Sequence, residues 1–125
     1  MDDIRVGPTQ DLLFQKADIF AQAVYEITYS FSREELFGIT SQLRRAVLSI
    51  PLNITEGYAR RSDQDHRRFL EIAYGSLKEV KYLLYFSKQR KIISNDIYEK
   101  VILMAEELSK LLWRKTSTIR AKATK

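Results

Sequence analysis

Apolar residues recur at three- and four-residue steps along most of the chain, and no stretch alternates in the two-residue rhythm of a strand. The run at residues 37–58, FGITSQLRRAVLSIPLNITEGY, shows this best. With Leu36 just ahead of it, Ile39, Leu43, Ala46, Val47, Ile50, Ile54 and Gly57 fall on one face of a helix. Pro51 stands in the middle of that face's sequence. It has no N–H, and its ring presses on the carbonyl four residues back, a cost of roughly 3 kcal/mol in a helix interior. The apolar period persists on both sides, which predicts one proline-kinked helix rather than two separate ones.

Three more helices flank it. The first covers about residues 11–29, with Leu13, Ala17, Phe20, Val24, Ile27 and Phe31 inward. Ser32 with Glu35 matches a capping box that opens a short turn before Gly38, and Thr40 is a candidate cap for the proline helix. Ser62 followed by Asp65 marks the next start, with Asp63 and Asp65 facing the positive end of the helix dipole. That third helix runs to about residue 91 and turns Phe69, Ile72, Ala73, Ser76, Leu77, Val80, Leu83, Leu84 and Ser87 inward. Ser94, Asn95 and Asp96 offer caps for a fourth helix, to about residue 116, with Ile97, Val101, Met104, Leu108, Leu111 and Leu112 inward. Four amphipathic helices with short connections predict an all-α, up-and-down four-helix bundle over residues 10–113. An arm at 1–9 precedes it and a tail at 114–125 follows.

The third helix carries more surface than one core covers. Arg68, Gly75, Glu79, Tyr82 and Phe86 share one flank; Arg67, Glu71, Tyr74, Lys78, Lys81, Tyr85 and Lys88 share another. Gly75, Tyr82 and Phe86 read as a subunit interface, the glycine allowing close approach. The alternative is amphipathic aromatics lying flat on the surface.

The 125 residues fit one domain, without cysteine. No apolar run reaches the ~18 residues of a membrane span, and the first ten residues do not resemble a signal peptide. The expectation is a cytoplasmic protein. The net charge of +5 is placed unevenly: Arg114, Lys115, Arg120, Lys122 and Lys125 face no acid in the tail, while residues 1–113 balance at 16 basic and 16 acidic groups. A localised basic segment suggests a polyanion partner, or else a solvated, frayed terminus. Arg60, Arg61, Arg67 and Arg68 lie at one end of the bundle if the second and third helices run antiparallel. There they hold phosphates, or pair with Asp63, Asp65 and Glu71. Lys78 and Lys81 alternate with Tyr74 and Tyr85, a pattern that can hold phosphates and stack bases.

Catalytic chemistry finds few residues. With His66 as the one histidine, no carboxylate–histidine metal set, no glycine-rich phosphate loop and no nucleophile elbow, the expectation is no enzyme, metal or cofactor. Pro51, Asn53 and Glu56 read as a polar clamp on the kink, with Glu56 partly buried and bonded to another helix.

Phe37-Gly38, Thr40-Ser41-Gln42, Arg44-Arg45-Ala46, Ser49-Ile50-Pro51, Asn53-Ile54 and Glu56-Gly57, then Phe69 and Gly75-Ser76-Leu77 with Glu79, follow a recognisable pattern. With it, residues 11–112 resemble the bacterial four-helix-bundle family named after proteins encoded in intervening sequences of 23S ribosomal RNA genes. Thr55 departs from the alanine common there, and the basic tail with Trp113 lies outside the shared motif. The resemblance implies a ring-like homo-oligomer, with a pentamer as the expected form. The related accessory proteins of diversity-generating retroelements imply an association with RNA or DNA and a reverse transcriptase as partner. The resulting expectation is a non-enzymatic, homo-oligomeric nucleic-acid-binding protein. The alternative is an oligomeric protein-interaction scaffold with no nucleic-acid role.

Overall fold

The computed structural model describes residues 11–123; the expected arm at 1–9 and Lys125 lie outside them. Four helices, α1 (Leu12–Thr28), α2 (Ser41–Tyr58), α3 (Asp63–Gln89) and α4 (Asn95–Ala123), make up the fold, with no strand among the described residues. Each packs against its chain neighbours, and α1 also meets α4, the adjacency of an up-and-down bundle. The core joins Phe20 and Val24 of α1, Leu43, Ile50 and Ile54 of α2, Leu70, Leu77 and Leu84 of α3, and Leu108 and Leu112 of α4, all buried. Lys16–Glu107 at 3.3 Å and Lys81–Glu106 at 3.2 Å tie the outer seams. Such half-solvated pairs contribute at most about 1 kcal/mol each.

Capping explains the helix starts. The Asp11 carboxylate accepts the Phe14 N–H at 3.2 Å, the Ser62 hydroxyl accepts that of Asp65 at 3.0 Å, and Ser94 accepts that of Ile97 at 3.1 Å. The expected caps at Ser32 and Thr40 are not made. A 3₁₀ turn at Arg33–Glu35 passes into a π turn at Leu36–Thr40 that is kinked at Gly38, φ −115° and ψ −107°, and beyond the kink the chain enters α2 already helical at Thr40. An N-cap needs extended backbone, and Thr40 has φ −60° and ψ −51°. Its hydroxyl is buried with no partner among the described residues. The wider π turn also shifts the register, which leaves Leu36 exposed rather than inward.

Helix α2 continues through Pro51 without a break. The clamp differs from the expected one. Asn53 donates from Nδ2 to the Ser49 carbonyl at 2.7 Å and to Ser49 Oγ at 3.0 Å, and Ser49 Oγ lies 2.8 Å from Ser76 Oγ on α3. The interhelical link therefore runs through two serines. Glu56 pairs with Arg60 one turn on, not with another helix.

Two stripes need correction. On α3 Leu70 is buried while Ile72 is exposed and Phe69 is half-buried, so the inward line is Leu70, Ala73, Leu77, Val80, Leu84 and Ser87. On α4 Ile97 is exposed, and Ala105 and Ile119 join the core. Buried Ile119 carries α4 past residue 116 to Ala123, so the described part of the expected tail is helix. The Thr116 and Thr118 hydroxyls donate back to the carbonyls of Leu112 and Arg114 at 2.8 and 2.9 Å, which lets them sit inside a helix instead of ending it. Helix α3 ends in a Schellman motif: Ile92 N–H bonds the Ser87 carbonyl at 2.8 Å and Lys91 N–H that of Lys88 at 3.0 Å. Lys91 holds the left-handed position, φ 62°, that glycine usually fills.

Candidate nucleic-acid interface

The end of the bundle where α2 hands over to α3 collects the expected basic residues. Gly57 makes the junction tight: a Cβ built on it would lie 3.0 Å from His66 Cδ2 and 3.3 Å from both the His66 carbonyl and Phe69 Cβ. Tyr58 follows, its ring 4.8 Å from the imidazole of His66. From the C-terminal half of α4, the Lys115 ammonium reaches to 5.5 Å above the Tyr58 ring. Residues taken from the sequence as two separate basic groups, the doublets and the tail, thus share one end of the molecule through Arg114 and Lys115. Arg120 and Lys122 fall in the last turns of α4, with their side chains outside the described part.

The four arginines are not equivalent. The guanidiniums of Arg60 and Arg68 lie 5.4 and 4.6 Å from the centre of the Phe69 ring. Arg60 pairs with Glu56, Arg68 with Asp65 at 3.8 Å and Arg67 with Glu71 at 3.9 Å. Structural pairing therefore engages three of them. Arg61, Arg114 and Lys115 make no ion pair among the described residues. Arg44 is also engaged, bonding Thr28 at 2.8 Å with its guanidinium over Tyr25 and Tyr29.

Along the second flank of α3, the Lys78 ammonium lies 5.4 Å from the Tyr74 ring centre, and that of Lys88 lies 4.4 Å from Tyr98. Lys81 is bound to Glu106, so it is less available to a phosphate than its position in sequence suggests. On the first flank both aromatics reach the surface. Tyr82 is 60% exposed, Phe86 is partly exposed, and their rings lie 6.2 Å apart. Gly75 meets nothing within 4 Å, so any close approach there involves another molecule. The sequence reading missed two features. Phe37, 93% exposed, projects beside the groove that Gly38, Ile39 and Gln42 form with Tyr82 and Phe86. Trp113, 65% exposed, borders a groove between α3 and α4. The signal for Phe37 was a large aromatic off the apolar period; for Trp113, a ring opposite Leu108 and Leu112 with Lys110 and Ser117 at helical steps.

Burial, reinforced by the nearby Asp11 carboxylate, pushes the Tyr58 hydroxyl well above its ordinary range. Burial, and secondarily the Lys115 charge, hold His66 below its ordinary value against the weaker opposing pull of Asp63 and Asp11. The unfolded chain then binds a proton near pH 6.5 that the folded chain refuses, so stability is lost as pH falls through that value. Thermal melts at pH 7.5 and 5.5 should show wild type losing more stability than His66→Gln. Equal losses would mean that His66 titrates alike in both states.

No group of three or more histidine, cysteine or acidic side chains among the described residues is arranged to hold a metal, and no helix of the described residues is long and apolar enough to cross a membrane. Residues 10–114 match the family model of the 23S rRNA-intervening sequence protein. No curated protein matches the chain. Among solved structures, a protein of unknown function from the S23 ribosomal protein family of Bacteroides thetaiotaomicron VPI-5482 is similar. It is 25% identical, covers 84% of this chain with 98% of its own, and superposes with a TM-score of 0.76. The family match ends just past Trp113, so the family pattern covers the bundle but not the basic end of α4. With the family model matching residues 10–114 of the 125, from α1 well into α4, the chain belongs to the 23S rRNA-intervening sequence protein family.

Proposed function

We propose that this protein is a non-catalytic, self-assembling binder of nucleic acid. Copies join through the Gly75, Tyr82 and Phe86 flank, and phosphates are met at the junction of α2 and α3. The observation that carries this reading is the course of α4. It brings Lys115 over Tyr58 and close to His66, with Arg114 next to it on the helix, at the end of the bundle where Arg61 also lacks a carboxylate partner among the described residues. A cluster of cations not neutralised from within raises the local anion concentration. The pentameric number and a reverse transcriptase as partner rest on the sequence resemblance alone.

The test is fluorescence anisotropy of labelled RNA and DNA over a salt series. Binding should weaken steeply as salt rises. Arg61→Ala with Arg114→Ala and Lys115→Ala should weaken it at low salt and reduce the log–log slope by about 2 for a single strand, at roughly 0.7 per phosphate contact. Arg60→Ala with Arg68→Ala, whose side chains are already paired, should do less. No binding at low salt would overturn the reading in favour of a protein scaffold, for which the exposed Phe37, Tyr82 and Phe86 are the supporting observation.

A further inference from the structure

We infer that Trp113 is a stacking platform for an unpaired base, so that the nucleic acid is bound as a single strand along the seam of α3 and α4. This rests on the nucleic-acid reading above and names the form of the polymer. The indole is 65% exposed at the border of a groove whose other wall is the half-buried Tyr74 with Glu71. Its surroundings separate a base from a protein as occupant. An interface with another protein would continue the apolar surface, since the buried centre of such contacts is depleted in charge. Here the second groove at Trp113 is lined by Lys110, Arg114, Ser117 and Thr118, and Lys78 stands over Tyr74 on the facing helix. Glu71 is the one carboxylate in the groove wall, and Arg67 lies 3.9 Å from it. An exposed aromatic face with cations along its outer side suits a planar base on a phosphate backbone.

Position along the seam supports a continuous path. From Lys78 back to Arg67 is about 16 Å along α3 at 1.5 Å per residue. The antiparallel α4 covers that interval with Lys110, Trp113 and Arg114, and next carries Lys115 over Tyr58, at the end of the bundle where the arginine doublets lie. A strand stacked on Trp113 therefore has cations before and after the ring. In a duplex the base faces are covered by their neighbours, so a duplex can use the cations but not the indole.

Trp113 is the sole tryptophan of the chain, which makes the test direct. Oligo(dT) of about 15 nucleotides, within the range of roughly 4–16 nucleotides that such surfaces span, is added to the full-length protein. Tryptophan emission should be quenched on binding, while a duplex of equal length should bind with salt dependence and little quenching. By anisotropy, Trp113→Ala should bind oligo(dT) about tenfold more weakly with the salt slope unchanged, and Trp113→Phe should retain most of the affinity. Salt-dependent binding without quenching, and with Trp113→Ala at wild-type affinity, would overturn the stacking site and leave the phosphate-binding face standing. No binding of either form at low salt would overturn both.

Discussion

Leucine at position 57 should destabilise the bundle by about 3 kcal/mol, at the upper end of what overpacking a closed site costs. The first added carbon already comes within 3.0 Å of His66 Cδ2 and 3.3 Å of the His66 carbonyl. The imidazole can shift a little; the backbone carbonyl, inside α3, cannot move without carrying the helix. Three further carbons extend into the same wall. Gly57→Ala is a graded control. It gains up to about 1 kcal/mol of helix propensity and adds the one carbon that meets His66 and Phe69 at 3.0–3.3 Å, with nothing beyond it, so the two effects nearly offset. Urea unfolding should show the midpoint falling sharply for leucine and hardly at all for alanine. A leucine variant as stable as wild type would mean that α2 and α3 separate at this point at little cost.

Glutamate at both Tyr82 and Phe86 should break the proposed assembly into smaller species without unfolding the chain. Both rings are partly or largely exposed in the single chain, so replacing them removes little intramolecular packing. Buried against a copy of itself, the same flank would hold several carboxylates out of water at every contact of a symmetric assembly. Gly75→Leu approaches the surface from a different direction. Nothing within the chain lies within 4 Å of its Cβ position, and leucine is the better helix former, so the monomer fold should be unharmed or slightly stabilised. Sedimentation velocity should nevertheless show a lower mass for both variants. Unchanged mass in both would place the contact between copies elsewhere, with the groove beside Phe37 the next surface to test.

The sequence reading was strongest where a residue's role depends on its near neighbours along the chain. Helical periodicity located four helices, and Ser62 announced the start of α3 because its partner, Asp65 N–H, lies three residues away. Pro51 was read inside a helix because the apolar period crosses it. Failures came where the geometry is irregular or the partner is distant. The π turn at Leu36–Thr40 leaves no periodic trace, and it moved Leu36 outward and made Thr40 useless as a cap. Leu70 was lost to Phe69 and Ile72 because neighbouring apolar residues compete for one stripe and only packing decides between them. The expected end of α4 near residue 116 fell short because the burial of Ile119, a tertiary effect, carries the helix on past Thr116 and Thr118. At the candidate site, the residue types were legible but their availability was not. Which arginine has a carboxylate, and that Lys81 meets Glu106 from another helix, are facts of three dimensions.

The serine pair that joins α2 to α3, with the tight junction at Gly57, has a kinetic consequence. Only residues 59–62 separate these two helices, so closing that hairpin takes little chain entropy. The contact between α1 and α4 joins residues as far apart as Lys16 and Glu107, and the loop between them must be closed by everything else first. The α2–α3 hairpin is therefore the expected nucleus, and the apolar faces it exposes should serve as a template on which α4, and then α1, condense. On the reverse path α1 should detach earliest, with the basic end, built mainly on the hairpin, outlasting it; amide exchange in α1 slower than in the hairpin would contradict this order.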